Sequence, residues 1–325
     1  MQDNHLENIL SSIQVEMTRF ENKYARILES DVKLINRIGK YISDTKGKRL
    51  RPAILILCAK NFGDINPRVI DAATVVELLH TATLIHDDVV DKAERRRGEK
   101  SINNIWQNKI AVLMGDYLFS RSLSKLINLK NHNIMKDISQ TTEHLSSGEL
   151  LQIEKSQDNG MTEAVYNEMI FYKTASLFAT SCQLGAKLMN ASHKEYQAFY
   201  NFGNYLGRAF QIKDDLFDIS GKTENTGKPI GLDVKQNILT LPIIYTLDKL
   251  DGQEHGELKN LLDQRSNIQI EELAKYVKKA GGFAYCRKRI DEYVEKAKAA
   301  LTIFKKNKII DSLVALAEYN KYRKR

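Results

Sequence analysis

The sequence predicts an all-α fold: a single-domain helical bundle, residues 1–325, around a central cavity. Three observations carry that expectation. Only 4 prolines and 17 glycines punctuate 325 residues, too few to turn a chain repeatedly between short strands. Apolar side chains recur at the spacing of amphipathic helices over most of the length. The stretch from Val69 to Ile85 is apolar on almost every side, which suits a helix with neighbours on all its faces.

Taken in order, residues 5–43 place Leu6, Ile9, Leu10, Ile13, Ile27, Leu28, Val32, Leu34, Ile35 and Ile38 at helical intervals, enough for one or two amphipathic helices. The segment SDTKGKRLRP (43–52) has turn composition, and Pro52 can start the helix AILILCAKNF. Asn66 followed by Pro67 is a second helix start, a capping side chain and then a residue whose fixed φ suits the first turn. Helical patterns resume over Trp106–Leu129, Ile134–Ile153 and residues 256–320, the last interrupted at Gly281–Gly282. Gly115, Gly148 and Gly185 within such patterns mark close backbone approaches or kinks. The best loop candidate is ISGKTENTGKPIGLDVKQN (219–237), rich in Gly, Thr, Asn and Lys, and it reads as a lid over a charged site. The tail KYRKR (321–325) reads first as solvated, with a role in covering the phosphate site or touching anionic lipid as the weaker alternative.

Composition removes several function classes. The net charge of +8 is spread along the chain and interleaved with acids, apart from two clusters: Lys46, Lys48, Arg49 and Arg51, then Arg95, Arg96 and Arg97. Neither cluster has aromatic residues among its cations, as a nucleic-acid surface would, so a compact phosphate ligand is expected instead. Cys58, Cys182 and Cys286 lie far apart in apolar helical runs and read as reduced core residues of a cytoplasmic protein. The N-terminus lacks an apolar segment of signal-peptide type, and no run of 18 apolar residues occurs, so no transmembrane segment is expected.

The chemistry is expected where the apolar helix ends. Asp87, Asp88 and Asp91 fall at i, i+1 and i+4, on one narrow arc. They repel one another and lie toward the negative end of the helix dipole. Divalent cations would relieve both effects, and open sets of hard oxygen ligands suit Mg²⁺ shared with substrate phosphates. Alone the motif is as well read as a solvated helix end. It recurs, however, in QIKDDLFD, as Asp214, Asp215 and Asp218 after another apolar helical run.

The two DDxxD motifs, GKRLRP (47–52), RRG (96–98), YKTASLF (172–178) and GKPIGLD…TLP (227–242) resemble, in the same order, the trans-type polyprenyl diphosphate synthases, over about residues 40–245. The resemblance implies the isoprenoid synthase fold and a homodimeric prenyltransferase. Such an enzyme repeatedly condenses isopentenyl diphosphate with an allylic diphosphate into a long-chain all-trans product, which can partition into a membrane. It implies Mg²⁺ at Asp87, Asp88, Asp91, Asp214, Asp215 and Asp218. It makes Lys48, Arg51, His80 and Arg97 ligands of isopentenyl diphosphate, and Arg96, Lys173, Thr174, Gln211 and Lys228 ligands of the allylic diphosphate. Lys173 also stands among apolar residues, where a lysine needs an anionic partner. The family usually has a further lysine where Ile238 stands here. Ala82 and Thr83, one turn below Asp87, are small where relatives that stop at three units typically have Tyr or Phe; a long product, on the order of six to ten isoprene units, is therefore expected. A terpene cyclase or a non-catalytic partner subunit shares the fold. GKRLRP, which provides a second diphosphate site, argues against the first, and two intact triads argue against the second.

Overall fold

The computed structural model describes residues 3–45, 47–158, 160–220, 231–264 and 268–323. The helices are α1 (Asp3–Leu10), α2 (Gln14–Ile27), α3 (Lys33–Asp44), α4 (Leu50–Lys60), α5 (Pro67–Val90), α6 (Ile102–Asn128), α7 (His132–Asp158), α8 (Glu163–Ile170), α9 (Ser176–Leu188) and α10 (His193–Ser220). After them come α11 (Leu232–Lys235), α12 (Leu241–Lys249), α13 (Gly252–Asp263), α14 (Ile270–Lys279), α15 (Gly282–Ala300) and α16 (Lys308–Tyr322). The N-terminal pattern yields three helices where one or two are expected, because the chain breaks twice, at the 3-10 turn Ser11–Ile13 and between Leu28 and Val32.

α5 is the axis. Asn66 caps it as expected, its side-chain oxygen accepting the Arg68 N–H at 3.0 Å, with Pro67 in the first turn. The helix packs against α2, α4, α6 and α9. It is long and apolar enough to cross a membrane by length and composition, but it is mostly buried inside the bundle. Such burial of Val, Leu and Ile side chains is worth roughly 1.5–3 kcal/mol apiece. Tight approach elsewhere depends on missing side chains. A Cβ on Gly185 would meet the Leu55 carbonyl oxygen at 2.2 Å, and one on Gly148 the Lys173 backbone nitrogen at 2.6 Å. Gly115 leaves its space to the His86 ring.

Two of the departures from the expected helices fall at chemistry-bearing residues. Arg95–Arg96 pairs antiparallel with Glu99–Lys100 in a two-residue hairpin, with Arg97 (φ +56°) and Gly98 (φ +84°) at its tip. Phe171–Ala175 is a π-helical turn inserted between α8 and α9, an irregularity frequent at functional sites because it re-aims side chains. All three cysteines are free and buried, as expected. The tail differs from expectation: Arg323 is buried, not solvated.

Candidate active site

The C-terminal end of α5 carries the first carboxylates. Asp88 is turned into the protein, 4% exposed, and accepts from Arg96 Nε at 2.7 Å. The hairpin thus returns an arginine to the helix end it follows. Asp87 is partly buried; loss of solvent, with Glu149 and Asp91 nearby, pushes its carboxyl up to about 6 against the opposing pull of Lys173 and Arg96. Asp91 is the C-terminal cap residue, and its carbonyl accepts from Gln236 Nε2 at 2.9 Å.

Lys173 projects from the π-helical turn and finds the anionic partner its setting demands. Its Nζ lies 2.5 Å from Glu149 Oε2 and 3.1 Å from Gln152 Oε1, both on α7. Burial opposes its charge, but Glu149 and Asp87 outweigh that and hold the ammonium protonated. The neighbouring Thr174 donates to Gln211 Oε1 at 2.6 Å, and Gln211 Nε2 donates to Asp215 Oδ1 at 2.8 Å. The π-helical turn therefore connects to both carboxylate groups, to the first through the charge of Lys173 felt at Asp87 and to the second through Thr174 and Gln211.

In the second group Asp215 is 3% exposed and accepts from Tyr166 OH at 2.5 Å. Burial first, and the neighbouring Asp233 next, push it up to about 8. Asp214 pairs with Arg323 at 2.6 Å, and that guanidinium stacks 4.0 Å from the Phe210 ring centroid. Asp218 accepts the backbone N–H groups of Leu232 and Asp233 at 3.2 and 3.3 Å, capping α11. Among the described residues no three carboxylates converge into a closed metal cage. The donor set still fits hard divalent cations. Carboxyls whose charged form burial and mutual repulsion disfavour gain most from a cation, and open sites of this kind complete their coordination with phosphate oxygens.

The cationic side is built from the 45–51 segment, α5 and the hairpin tip. Lys48 Nζ lies 3.3 Å from Tyr319 OH. Arg51 Nη1 lies 2.9 Å from His80 Nε2, and its guanidinium lies 4.6 Å from the Phe178 ring centroid. Burial, then Arg51, Arg97, Arg96 and Arg49, hold His80 well below the ordinary imidazole range. His80 is therefore neutral and accepts the Arg51 proton at Nε2, which leaves its own hydrogen on Nδ1. Arg97 donates to the Thr45 carbonyl at 3.3 Å and packs its guanidinium where Gly47 leaves room.

Lys228 lies outside the described residues. His86, given no role by the resemblance, faces α6, with Asp116 at 3.4 Å. Ala82 is closed into the core, whereas Thr83 keeps partial exposure and donates to the His80 carbonyl at 2.9 Å. Sequence reasoning missed Glu149, Gln152, Tyr166 and Arg323. A buried lysine called for a carboxylate somewhere, but nothing in the sequence said that Glu149 would supply it.

A family model described as Polyprenyl synthetase matches residues 32–280. The chain is 32% identical over 311 residues to an all-trans-nonaprenyl-diphosphate synthase (geranyl-diphosphate specific) of Rhodobacter capsulatus, with 95% of each chain covered. It is 31% identical over 314 residues to the octaprenyl diphosphate synthase of Escherichia coli, covering 96% of this chain and 97% of that one. Among solved structures it resembles a polyprenyl synthase of Caulobacter crescentus complexed with calcium and isoprenyl diphosphate. The TM-score is 0.93 at 30% identity, with 98% of each chain covered. With two aspartate-bearing helices joined through one lysine-bearing turn, and relatives of this kind over nearly its whole length, the chain belongs to the polyprenyl synthetase family of prenyltransferases.

Proposed function

We propose that this single-domain enzyme elongates an allylic diphosphate with successive isopentenyl diphosphates to a long-chain all-trans polyprenyl diphosphate. The observation that carries the reading is the π-helical turn at Phe171–Ala175, whose Lys173 stands by Asp87 while its Thr174 connects to Asp215 through Gln211. A diphosphate at that turn has cations and both carboxylate groups within reach.

Arg96, Lys173, Thr174, Gln211 and Lys228 hold the allylic diphosphate, and Asp87, Asp88, Asp91, Asp214, Asp215 and Asp218 are the carboxylates that hold Mg²⁺. Bound Mg²⁺ supplies positive charge against the diphosphate as its bond to carbon breaks. Lys173 and Arg96 add fixed positive charge at the same place. Lys48, Arg51, His80 and Arg97 hold isopentenyl diphosphate, with Arg51 and Arg97 forking onto its oxygens. The isopentenyl double bond attacks the allylic cation, a carbon–carbon bond forms, and the proton then lost passes to the released diphosphate. Exclusion of water from the cation falls to the apolar walls around α5.

The setting is cytoplasmic and the working form a homodimer. Val112, Leu113, Leu123 and Ile127 are exposed along α6, apolar surface of the kind that a second copy would cover.

The test is incubation of the purified protein with Mg²⁺, radiolabelled isopentenyl diphosphate and an allylic primer, followed by chromatography of the dephosphorylated products. Long all-trans alcohols are expected. Absence of elongation with every primer from five to twenty carbons would remove the reading and favour a non-catalytic subunit.

Ile238, where relatives carry lysine, supplies a second test. It lies next to Gln236 and Asn237, which bind the backbones of Asp91 and Ser156, and its own side chain is buried. Ile238→Lys is expected to lower the allylic KM by a few-fold and to leave the isopentenyl KM unchanged. An equal change in both, or none, would mean that another group fills that position.

A further inference from the structure

Among the described cations of the 45–51 segment, Arg49 is the one that no substrate role explains. It stands between Lys48 and Arg51, yet its side chain is only 6% exposed. Its Nη1 donates to Glu77 Oε1 at 2.6 Å and its Nε to Glu21 Oε1 at 3.3 Å. Its guanidinium lies 4.5 Å from the Tyr24 ring centroid, and the Tyr24 hydroxyl is 2.9 Å from Thr81 Oγ1. Glu77 and Thr81 are successive turns of α5, the helix that carries His80 and Asp87. Glu77 is a buried acid on an otherwise apolar stretch, and Arg49 is the cation that satisfies it.

The backbone at this residue is equally specific. Arg49 has φ +50° and ψ 35°, a left-handed conformation that strains a residue with a Cβ. Its carbonyl accepts the Ala53 N–H at 3.0 Å and so opens α4. The reversal separates Arg49 from the cations on either side of it: Arg49 turns inward to Glu77, while Lys48 reaches Tyr319 and Arg51 reaches His80.

We propose that Arg49 is a positioning residue for the isopentenyl diphosphate site: its buried ion pair with Glu77 holds the left-handed turn that aims Lys48 and Arg51 at one ligand. The inference rests on Lys48 and Arg51 binding that substrate. Without the anchor the segment regains backbone freedom, and binding must then order both cations before they reach phosphate oxygens.

The experiment compares Arg49→Met with the double variant Arg49→Met/Glu77→Met, which leaves no core carboxylate without its partner. KM is measured separately for each substrate, beside thermal melts. The expected result, in a variant that melts as one cooperative unit, is an isopentenyl KM raised about fivefold or more, corresponding to about 1 kcal/mol of binding. The allylic KM stays within about twofold, less than half of that change in energy. Equal changes in the two KM values, no change in either, or failure of both variants to fold would each overturn the proposal in favour of a purely structural ion pair. Lys48→Met is run alongside. If it leaves the isopentenyl KM unaltered, the assignment of the substrate site fails, whatever Arg49 does.

Discussion

Asp87→Ala and Asp214→Ala each lower turnover by roughly two to three orders of magnitude or more, the scale of losing one preorganised charge contact in a transition state. The helical fold survives both. Asp87 has the clearer case, because the fold stabilises its charged form poorly: burial and the nearby Glu149 and Asp91 push its carboxyl up to about 6. A carboxyl whose folded-state value lies above its unfolded one binds protons more readily in the folded chain. Stability therefore falls as pH rises from the ordinary carboxylate range to about 6, and the deficit is complete above that. Asp87→Asn should accordingly raise the melting temperature at pH 8 and leave it nearly unchanged at pH 4, while abolishing product formation. Asp214→Ala should instead lower the melting temperature, since Arg323 then loses its 2.6 Å partner and is left with Asn320, the Phe210 carbonyl and the Phe210 and Phe217 rings. Labelled product and thermal melts at the two pH values check both variants. Near-normal turnover in either would remove its carboxylate from the metal-binding set.

The signals that worked were those in which local chemistry and global packing agree. Asn66–Pro67 defines a helix start by itself, and a helix apolar on all sides has its stable place in a protein core or a membrane. Lys173 could be read as needing an anion, because a buried ammonium without one is too costly to retain. The features that stayed hidden depend on which segments meet in space. Arg323 reads as part of a basic tail, and only the packing of α16 beside α10 brings it to Asp214. Tyr166 reads as an ordinary core aromatic until α8 sets its hydroxyl against Asp215. The π-helical turn has no sequence signature of its own, and α7 meets it at Lys173 so closely that Gly148 has no room for a side chain. The hairpin at Arg95–Lys100 is too short for alternation to announce it.

Thr83→Phe should shorten the product to about three or four isoprene units, because a tail growing from Asp87 down α5 passes within one turn of this residue. The same reasoning applied to Ala82 gives a different outcome. Ala82 is 1% exposed, with Ile85 below 5% on the same side of the helix, so Ala82→Tyr has no open space to enter and overpacks the core at a cost of roughly 1–3 kcal/mol or more. Thr83 retains contact with the open side, and its hydroxyl only returns to the His80 carbonyl at 2.9 Å. Deeper on this stripe Val76 is fully closed into the core, so a tail of six or more units has to leave α5 below His80 or push neighbouring helices apart. Product distributions from the two variants, with their melting temperatures, separate these routes. A shortened product from Thr83→Phe alone, with Ala82→Tyr destabilised, assigns the wall to the Thr83 face. An active Thr83→Phe with an unchanged distribution would show that the tail never runs along α5.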